Sequence, residues 1–163
     1  MLARLVLINL IVLAASFRMP AQGATPQVTH STEATAVADT MRAMYVAAAT
    51  DDLAKFRSLI APGFYAFDNG KRYDGDALMQ MVISAHAKGM KIVWNVTEPD
   101  AHIHGDYAWI AHTNVGSIQA SAAAGLTPMT WLESACPERH NSSWKIVFFQ
   151  SSRVPAPPPS DSR

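Results

Sequence analysis

The chain has 163 residues, with 13 acidic and 13 basic side chains and an apolar fraction of 49%. This composition predicts one domain of ordinary size with a proper hydrophobic core. Because the charge is balanced and the basic residues are scattered, the composition excludes the clustered positive surface of a nucleic-acid-binding protein. The single cysteine, Cys136, excludes an intrachain disulfide and a cysteine-based metal cluster, and we expect a buried, inert side chain there.

The first 23 residues have the pattern of a secretory signal peptide. Arg4 provides a basic start, Leu5 to Phe17 form an apolar run, and Ala21 and Gly23 are the small residues that precede a cleavage site. The run is shorter than the roughly 20 residues that span a bilayer. We therefore expect cleavage after Gly23, a periplasmic or secreted protein, and no stable membrane span afterwards. An uncleaved anchor is the alternative.

The folded domain is predicted to occupy residues 33–154. Residues 24–32 have the composition of a linker. Residues 155–163 form a proline-rich tail that can join neither a helix nor the interior of a sheet, so we expect the tail to be disordered.

Two helices, a hairpin and a third helix are predicted before a strand meander. Apolar residues with helical spacing predict helices from Glu33 to Thr50 and then from Asp51 to the Ala61-Pro62-Gly63 stop. A short strand from Phe64 to Phe67 leads into the turn sequence Asp68-Asn69-Gly70, and the third helix runs from Ala77 to Lys88. The remaining strands are predicted at Lys91 to Thr97, around Ile103, at Tyr107 to Gln119, at Leu126 to Ala135 and at Trp144 to Ser151. This order predicts an α+β domain.

Five segments in this order resemble a known superfamily. Tyr45 to Ala48, Asp52-Leu53 and Phe64 to Gly70 look like the first helix pair and hairpin of ketosteroid isomerase. Glu133-Ser134 followed by Trp144 to Ile146 is similar to the matching hairpin in the association domain of calcium/calmodulin-dependent kinase. The chain therefore resembles the nuclear-transport-factor-2-like superfamily, which includes SnoaL-like proteins.

The resemblance implies a cone-shaped fold. In such domains a curved, mostly antiparallel sheet wraps around three N-terminal helices and encloses an apolar pocket. Members commonly dimerise through the open side of the sheet, so a homodimer is expected here.

The resemblance also implies three candidate catalytic residues. Asp68 matches the general base of ketosteroid isomerase, Tyr45 matches its hydroxyl donor, and Glu133 falls near the acid of its oxyanion hole. A carboxylate at the mouth of an apolar cone can have its pKa raised by desolvation, which suits a general base. Such a site would transfer protons without a cofactor. Asp68 also has a purely conformational explanation, because Asp-Asn-Gly is favoured in tight turns.

Strand periodicity suggests a set of ligand-binding residues. A two-residue turn at Gly105-Asp106 would pair His102 with Trp109, and would put His112 on the opposite side of the sheet from His102. Ile110 and Asn114 share the face of His112, and an apolar floor with a few polar groups is typical of a small-molecule pocket. We therefore expect Ile110, His112, Asn114 and Trp131 to line the pocket. The alternative is that a strand bulge makes this the outer face.

No metal or cofactor is expected. His102 and His104 could offer two imidazoles to zinc, but the register supplies no third ligand, so a solvent-facing hairpin tip is the better interpretation. The glycines lie in turns and form no phosphate-binding loop. Many related domains carry a histidine where this chain has Gln150, which argues against acid–base catalysis.

Three functions remain open from the sequence. The first is an exported domain that binds a small apolar molecule without reaction. The second is a cofactor-independent isomerase, cyclase or dehydratase that uses Asp68 as the base. The third is a structural homodimerisation module. The first and third differ in whether the cavity is open or filled by side chains. The first and second differ in whether Asp68 points into the cavity with a raised pKa.

Overall fold

The computed structural model describes residues 32–155. The predicted signal peptide lies outside the described residues, as do all but Thr32 of the linker and all but Pro155 of the tail. The described part forms α1 (Thr32–Ala49), α2 (Leu53–Leu59), β1 (Ile60–Asp68), β2 (Lys71–Asp74), α3 (Gly75–Ala87), β3 (Lys91–Val93), β4 (Val96–His104), β5 (Tyr107–Gln119), β6 (Thr127–His140) and β7 (Ser143–Arg153). None of its helices is both long and apolar enough to cross a membrane.

The helices form where the sequence predicts them, and side chains cap two of them. Asp52 accepts a hydrogen bond of 2.8 Å from the backbone N–H of Lys55 at the start of α2. Asp74 accepts an equivalent bond of 2.8 Å from the N–H of Ala77. The cap at Asp74 explains why α3 begins at Gly75, two residues before its predicted start.

The seven strands form one sheet in the order β2-β1-β7-β6-β5-β3, with β4 also paired to β5. Strands β1 and β7 run parallel, and the other pairs are antiparallel. The sheet curls strongly into a half-barrel beside the helices, so the α+β prediction is confirmed. Its inner face and the helices form the core, which includes Val37, Met41, Ile110, Ile146 and Phe149.

Two strands are longer than predicted because the sheet accommodates a proline in each. Strand β6 continues past Pro137, where the register with β7 shifts between Cys136 and Pro137. A bulge is one of the few places at which a sheet tolerates a residue without a backbone N–H. Strand β1 includes Pro62 and Gly63, and its register with β7 shifts there as well.

Cys136 is exposed, which corrects the expectation of a buried side chain. Its neighbours Ala135 and Pro137 are buried. Because successive side chains of a strand point to opposite faces, the buried positions on either side place Cys136 on the outer face of the sheet. Cysteine is itself a small apolar residue, but apolar character does not decide which face a strand residue occupies.

Candidate functional site

A cavity of about 260 Å³ lies between the helices and the inner face of the sheet. Pockets for drug-sized molecules usually measure about 300–1,000 Å³, so this volume suits a smaller molecule. Most of the wall is apolar or aromatic: Tyr45, Ala48, Phe56, Leu78, Met79, Met81, Val82, Ala85, Met90, Ile92, Trp94, Ile118, Trp131 and Phe149. The other lining residues are polar: Asp68, Asn69, Glu133, Ser151 and Arg153.

The parallel pairing of β1 with β7 brings part of this polar set together. Phe67 on β1 is the register partner of Gln150 on β7. The next residue along each strand, Asp68 and Ser151 respectively, therefore lies beside the other on the inner face. We call the region around Asp68, Ser151 and the neighbouring Glu133 the polar end of the cavity.

Glu133 is the best-connected side chain of the polar end. The sheet register places His112 on β5 and Ser151 on β7 directly beside it. Its Oε2 accepts hydrogen bonds from the Tyr45 hydroxyl at 2.5 Å and from Asn114 Nδ2 at 3.1 Å, and His112 Nε2 lies 3.0 Å from the same oxygen. Its Oε1 accepts a bond of 2.8 Å from the Ser151 hydroxyl. Four side chains therefore converge on one carboxyl group that is only 6% exposed.

This set of donors fits an ionised Glu133, because a carboxylate only accepts and has about four acceptor sites. Burial, followed by the negative charge of Glu133, raises the pKa of Tyr45 well above its ordinary value of 10.0. Tyr45 therefore keeps its proton, and that proton is directed at Glu133 rather than into the cavity.

Two of the donors are themselves fixed in orientation. Asn114 accepts a hydrogen bond of 2.7 Å from the backbone N–H of Asn95, so its amide nitrogen must face Glu133. Since a carboxylate cannot donate, His112 must carry a proton on Nε2. His112 Nδ1 is buried and has no hydrogen-bond partner among the described residues. The neutral ring is the better fit, because a cation would bury an unsatisfied N–H there.

Asp68 has a different environment, although it lines the same cavity. Its Oδ2 accepts a bond of 2.9 Å from the Asn69 side chain. Partial burial raises the pKa of Asp68 above its ordinary 3.8, and the charge of Glu133 adds to this rise, while the positive charge of Arg153 opposes it. A carboxylate with a raised pKa at the end of an apolar cavity is chemically able to exchange a proton with a bound molecule.

The predicted site residues fall into two groups. Asp68, Tyr45, Glu133 and Trp131 line the cavity. Ile110, His112 and Asn114 lie on the inner face of the sheet, as predicted, but are buried and are not among the described residues that form the wall. His112 and Asn114 reach the cavity only through their contact with Glu133, and Ile110 belongs to the core.

The histidine pair lies elsewhere. His102 stacks on Trp109 at the exposed end of the β4–β5 hairpin, with ring centroids 4.0 Å apart. The predicted pairing of these two residues across the hairpin is confirmed. Within residues 32–155, no three His, Cys, Asp or Glu side chains are arranged to hold a metal ion.

Ser151 is a site residue that was not predicted from the sequence. His140 on β6 pairs with Ser143 on β7 at the end of their hairpin. If the two strands continued from that pair without a shift, Gln150 would lie beside Glu133. A bulge at Val147 of β7, opposite Cys136 and Pro137, moves the register by one residue, which brings Ser151 to Glu133 and turns Gln150 to the exposed outer face. The proline within an otherwise regular strand was the available signal.

Trp94 was missed for another reason. It lies in the short break between β3 and β4, where the sequence predicts one continuous strand. Its ring centroid is 5.6 Å from that of Tyr45, and it forms part of the cavity wall. A register shift between Thr97 and Asp100 puts Val96 beside Asn114 on the inner face, and alternation then puts Trp94 on that face as well. Continuing the register of the His102–Trp109 pair without this shift would have put Thr97 there instead.

Comparisons with known proteins agree with this architecture. Residues 37–157 match the family model described as a SnoaL-like domain, so the chain belongs to that family. No curated protein matches the chain.

Several solved structures are similar in fold. A ketosteroid isomerase-like protein from Erwinia carotovora atroseptica has a TM-score of 0.63 and 14% identity over 77% of this chain and 99% of its own. The CaMKII hub of S. rosetta has a TM-score of 0.64 and 20% identity over 76% of this chain and 98% of its own. An NTF2-like protein from Cytophaga hutchinsonii has a TM-score of 0.61 and 10% identity over 76% of this chain and 100% of its own. At these identities the likeness establishes the fold alone, and the predicted superfamily and cone fold are confirmed.

Proposed function

We propose that this member of the SnoaL-like family is an exported protein that binds a small, mainly apolar molecule in its cavity. The observation that carries the proposal is the volume of about 260 Å³ with an aromatic and aliphatic wall and one polar end. A few polar groups in an otherwise apolar, partly enclosed space are typical of a site that orients a bound molecule.

The hydrogen bonds of Glu133 favour binding over proton-transfer catalysis. An isomerase of the ketosteroid type needs donors aimed at an oxygen that becomes negative in the reaction. Here the Tyr45 hydroxyl donates to Glu133, and the carboxylate form of Glu133 has no proton to donate. Neither group is arranged as an oxyanion donor.

Binding can be measured with the neutral apolar dye N-phenyl-1-naphthylamine, whose fluorescence rises in an apolar site. Ala85 lines the cavity from α3, so Ala85→Phe should fill part of it and weaken dye binding at least tenfold. Ala87→Phe, at the exposed end of the same helix, is the matched control and should bind as the wild type does. Absence of dye binding, or an equal loss in both variants, would reject the proposal.

A cofactor-independent isomerase, cyclase or dehydratase is the second candidate, and the raised pKa of Asp68 at the cavity supports it. In this case Asp68 would remove a proton from the bound molecule, with Tyr45 and Glu133 nearby. Conversion of a β,γ-unsaturated ketosteroid to its conjugated isomer can be followed by absorbance. Asp68→Asn should abolish the reaction. A wild-type protein without activity would rule out this substrate class.

We further propose that two copies associate through the outer face of the sheet, as the hub-type fold neighbours suggest. Large apolar side chains are exposed on that face: Phe67, Trp109, Val115 and Leu132. Leu132→Lys should lower the mass measured by analytical ultracentrifugation to that of the monomer. Val46→Lys replaces an exposed apolar residue of α1 and should leave the mass unchanged. A monomeric wild type would refute the dimer.

Export is proposed from the first 23 residues alone. Mass spectrometry of the protein from the exported fraction of its host should give a mature chain that starts at Ala24. A chain that retains Met1 in the cytoplasm would contradict it.

A further inference from the structure

Apart from the exposed guanidinium of Arg153, the hydrogen-bonding capacity left over at the polar end is mainly that of acceptors. The hydroxyl protons of Tyr45 and Ser151 are used by Glu133. Glu133 Oε1 accepts from Ser151 alone among the described residues, so it has room for a second donor. Asp68 accepts from the side chain and backbone of Asn69, which leaves about two acceptor sites open. A bound molecule that donates hydrogen bonds therefore fits this end better than one that accepts them.

The charges of the cavity point the same way. Two carboxylates, Asp68 and Glu133, line it against one guanidinium, that of Arg153. Arg153 is exposed at the end of β7, and its charge lowers the pKa of Asp68 against the effects of burial and of Glu133, but it offsets only one of the two carboxylates. His112 adds no positive charge in its neutral form. The cavity therefore has an excess of negative charge in surroundings of low polarity.

Aromatic rings border the same region. Tyr45 packs against Trp94 and Phe149, with centroid distances of 5.6 Å and 6.3 Å, and all three line the cavity. The faces of such rings attract cations. Negative charge, free acceptors and neighbouring aromatic rings are the three features that together recognise an ammonium group attached to an apolar body.

We propose that the cavity selects a cationic amphiphile, an apolar molecule whose ammonium group is held by Asp68 and Glu133. The proposal rests on the proposed binding function and adds the chemical class of the ligand. In the bound state the N–H groups donate to the open acceptor sites of the two carboxylates, and the aliphatic part lies against the wall formed by α3, which includes Met79 and Val82.

The test compares three eight-carbon molecules with different polar groups: octylamine, 1-octanol and octanoate. Each is used at neutral pH to displace N-phenyl-1-naphthylamine from the purified protein. Octylamine, which is protonated there as a lysine side chain is, should bind at least tenfold more tightly than octanol, and octanoate should be the weakest. If octanol or octanoate matches octylamine while the dye binds, the cation preference is overturned and the binding function stands. If the dye itself does not bind, the proposed binding function is rejected, and the cation preference that rests on it is rejected with it.

A variant identifies the carboxylate involved. Asp68→Asn should reduce the ratio of octylamine to octanol affinity about tenfold, because the amide keeps the shape but loses the charge. Asp76→Asn, which alters an exposed acid outside the cavity wall, should leave the ratio unchanged. An unchanged ratio in Asp68→Asn, or an equal reduction in Asp76→Asn, would overturn the assignment.

Discussion

The middle of β6 and the hairpin end of β1 each bring a carboxylate to the same cavity, with opposite results. Glu133 is surrounded by donors from α1, β5 and β7, and its acceptor sites are nearly filled. Asp68 accepts from its neighbour Asn69, and burial raises its pKa. The difference teaches that an acid which is both buried and surrounded by donors serves mainly to hold the fold together, whereas an acid with a single neighbouring donor keeps most of its acceptor sites for a ligand.

The largest expected effect comes from removing the charge of Glu133. In Glu133→Gln the amide nitrogen must face at least one of the four donors, and a buried donor without an acceptor is destabilising. We expect a loss of about 3 kcal/mol or more in the free energy of unfolding, measured in urea. Glu98→Gln changes an exposed acid of β4 and should stay within about 0.5 kcal/mol of the wild type. Similar values for the two variants would mean that Glu133 is not structural.

A smaller effect is expected from Tyr45→Phe, which removes one hydrogen bond to Glu133 and little volume. Hydrogen bonds to charged groups contribute about 1.5–3 kcal/mol, so we expect a loss near the lower end of that range. Tyr107→Phe, at an exposed position, should cost almost nothing. If Tyr45 acts through Glu133, the loss should largely disappear when Tyr45→Phe is made in the Glu133→Gln background.

The smallest effect concerns the pH dependence of stability. The direction in which stability changes with pH should distinguish Asp68 from a surface acid in an ion pair, such as Asp76. The pKa of Asp68 is raised above 3.8 in the folded protein, so its stabilising contribution is complete below about pH 3.8 and is lost as the pH rises through the raised pKa. Asp68→Asn should therefore gain stability relative to the wild type between about pH 4 and pH 7, measured by urea unfolding.

Asp76 provides the opposite case for the same experiment. The hydrogen bond from Arg57 lowers the pKa of Asp76 below its ordinary 3.8. Slight desolvation opposes this shift, and the positive charge of Arg57 adds to it. Its contribution is present above that value and is lost as the pH falls through the lowered pKa. Asp76→Asn should therefore lose stability relative to the wild type at neutral pH. The same sign in both variants would contradict the environments described for the two acids.

Much of the candidate site follows from strand alternation. Ile110, His112 and Asn114 are spaced by two residues, so a single strand assignment puts them on one face. Alternation cannot tell which of them reaches open space, because that depends on the depth of each side chain and on its hydrogen-bond partners. His112 and Asn114 are drawn to Glu133, and this contact removes them from the cavity wall.

The long-range strand pairing could not be predicted from the sequence, and Pro137 was the one indication of the shifted register. A one-residue bulge at Val147, opposite Pro137, exchanges Gln150 for Ser151 beside Glu133. The parallel pairing of β1 with β7 places Phe67 beside Gln150, although most of the domain's sequence separates the two residues. Neither strand contains a local feature that predicts its partner. The helices, by contrast, depend on neighbouring residues such as Asp52 and Asp74, and they were predictable for that reason.

The place of β7 in the sheet has a consequence for the moment at which the protein can fold. It is the last strand within residues 32–155, yet it lies between β6 and β1 and supplies the only link between the β1–β2 hairpin and the rest of the described sheet. A chain that leaves the ribosome N terminus first therefore holds two separate sheet fragments until β7 emerges. Contacts of such long sequence separation form late and slowly. The polar end of the cavity, which needs Ser151 of β7 beside Glu133 of β6, is therefore completed only when β7 has entered the sheet.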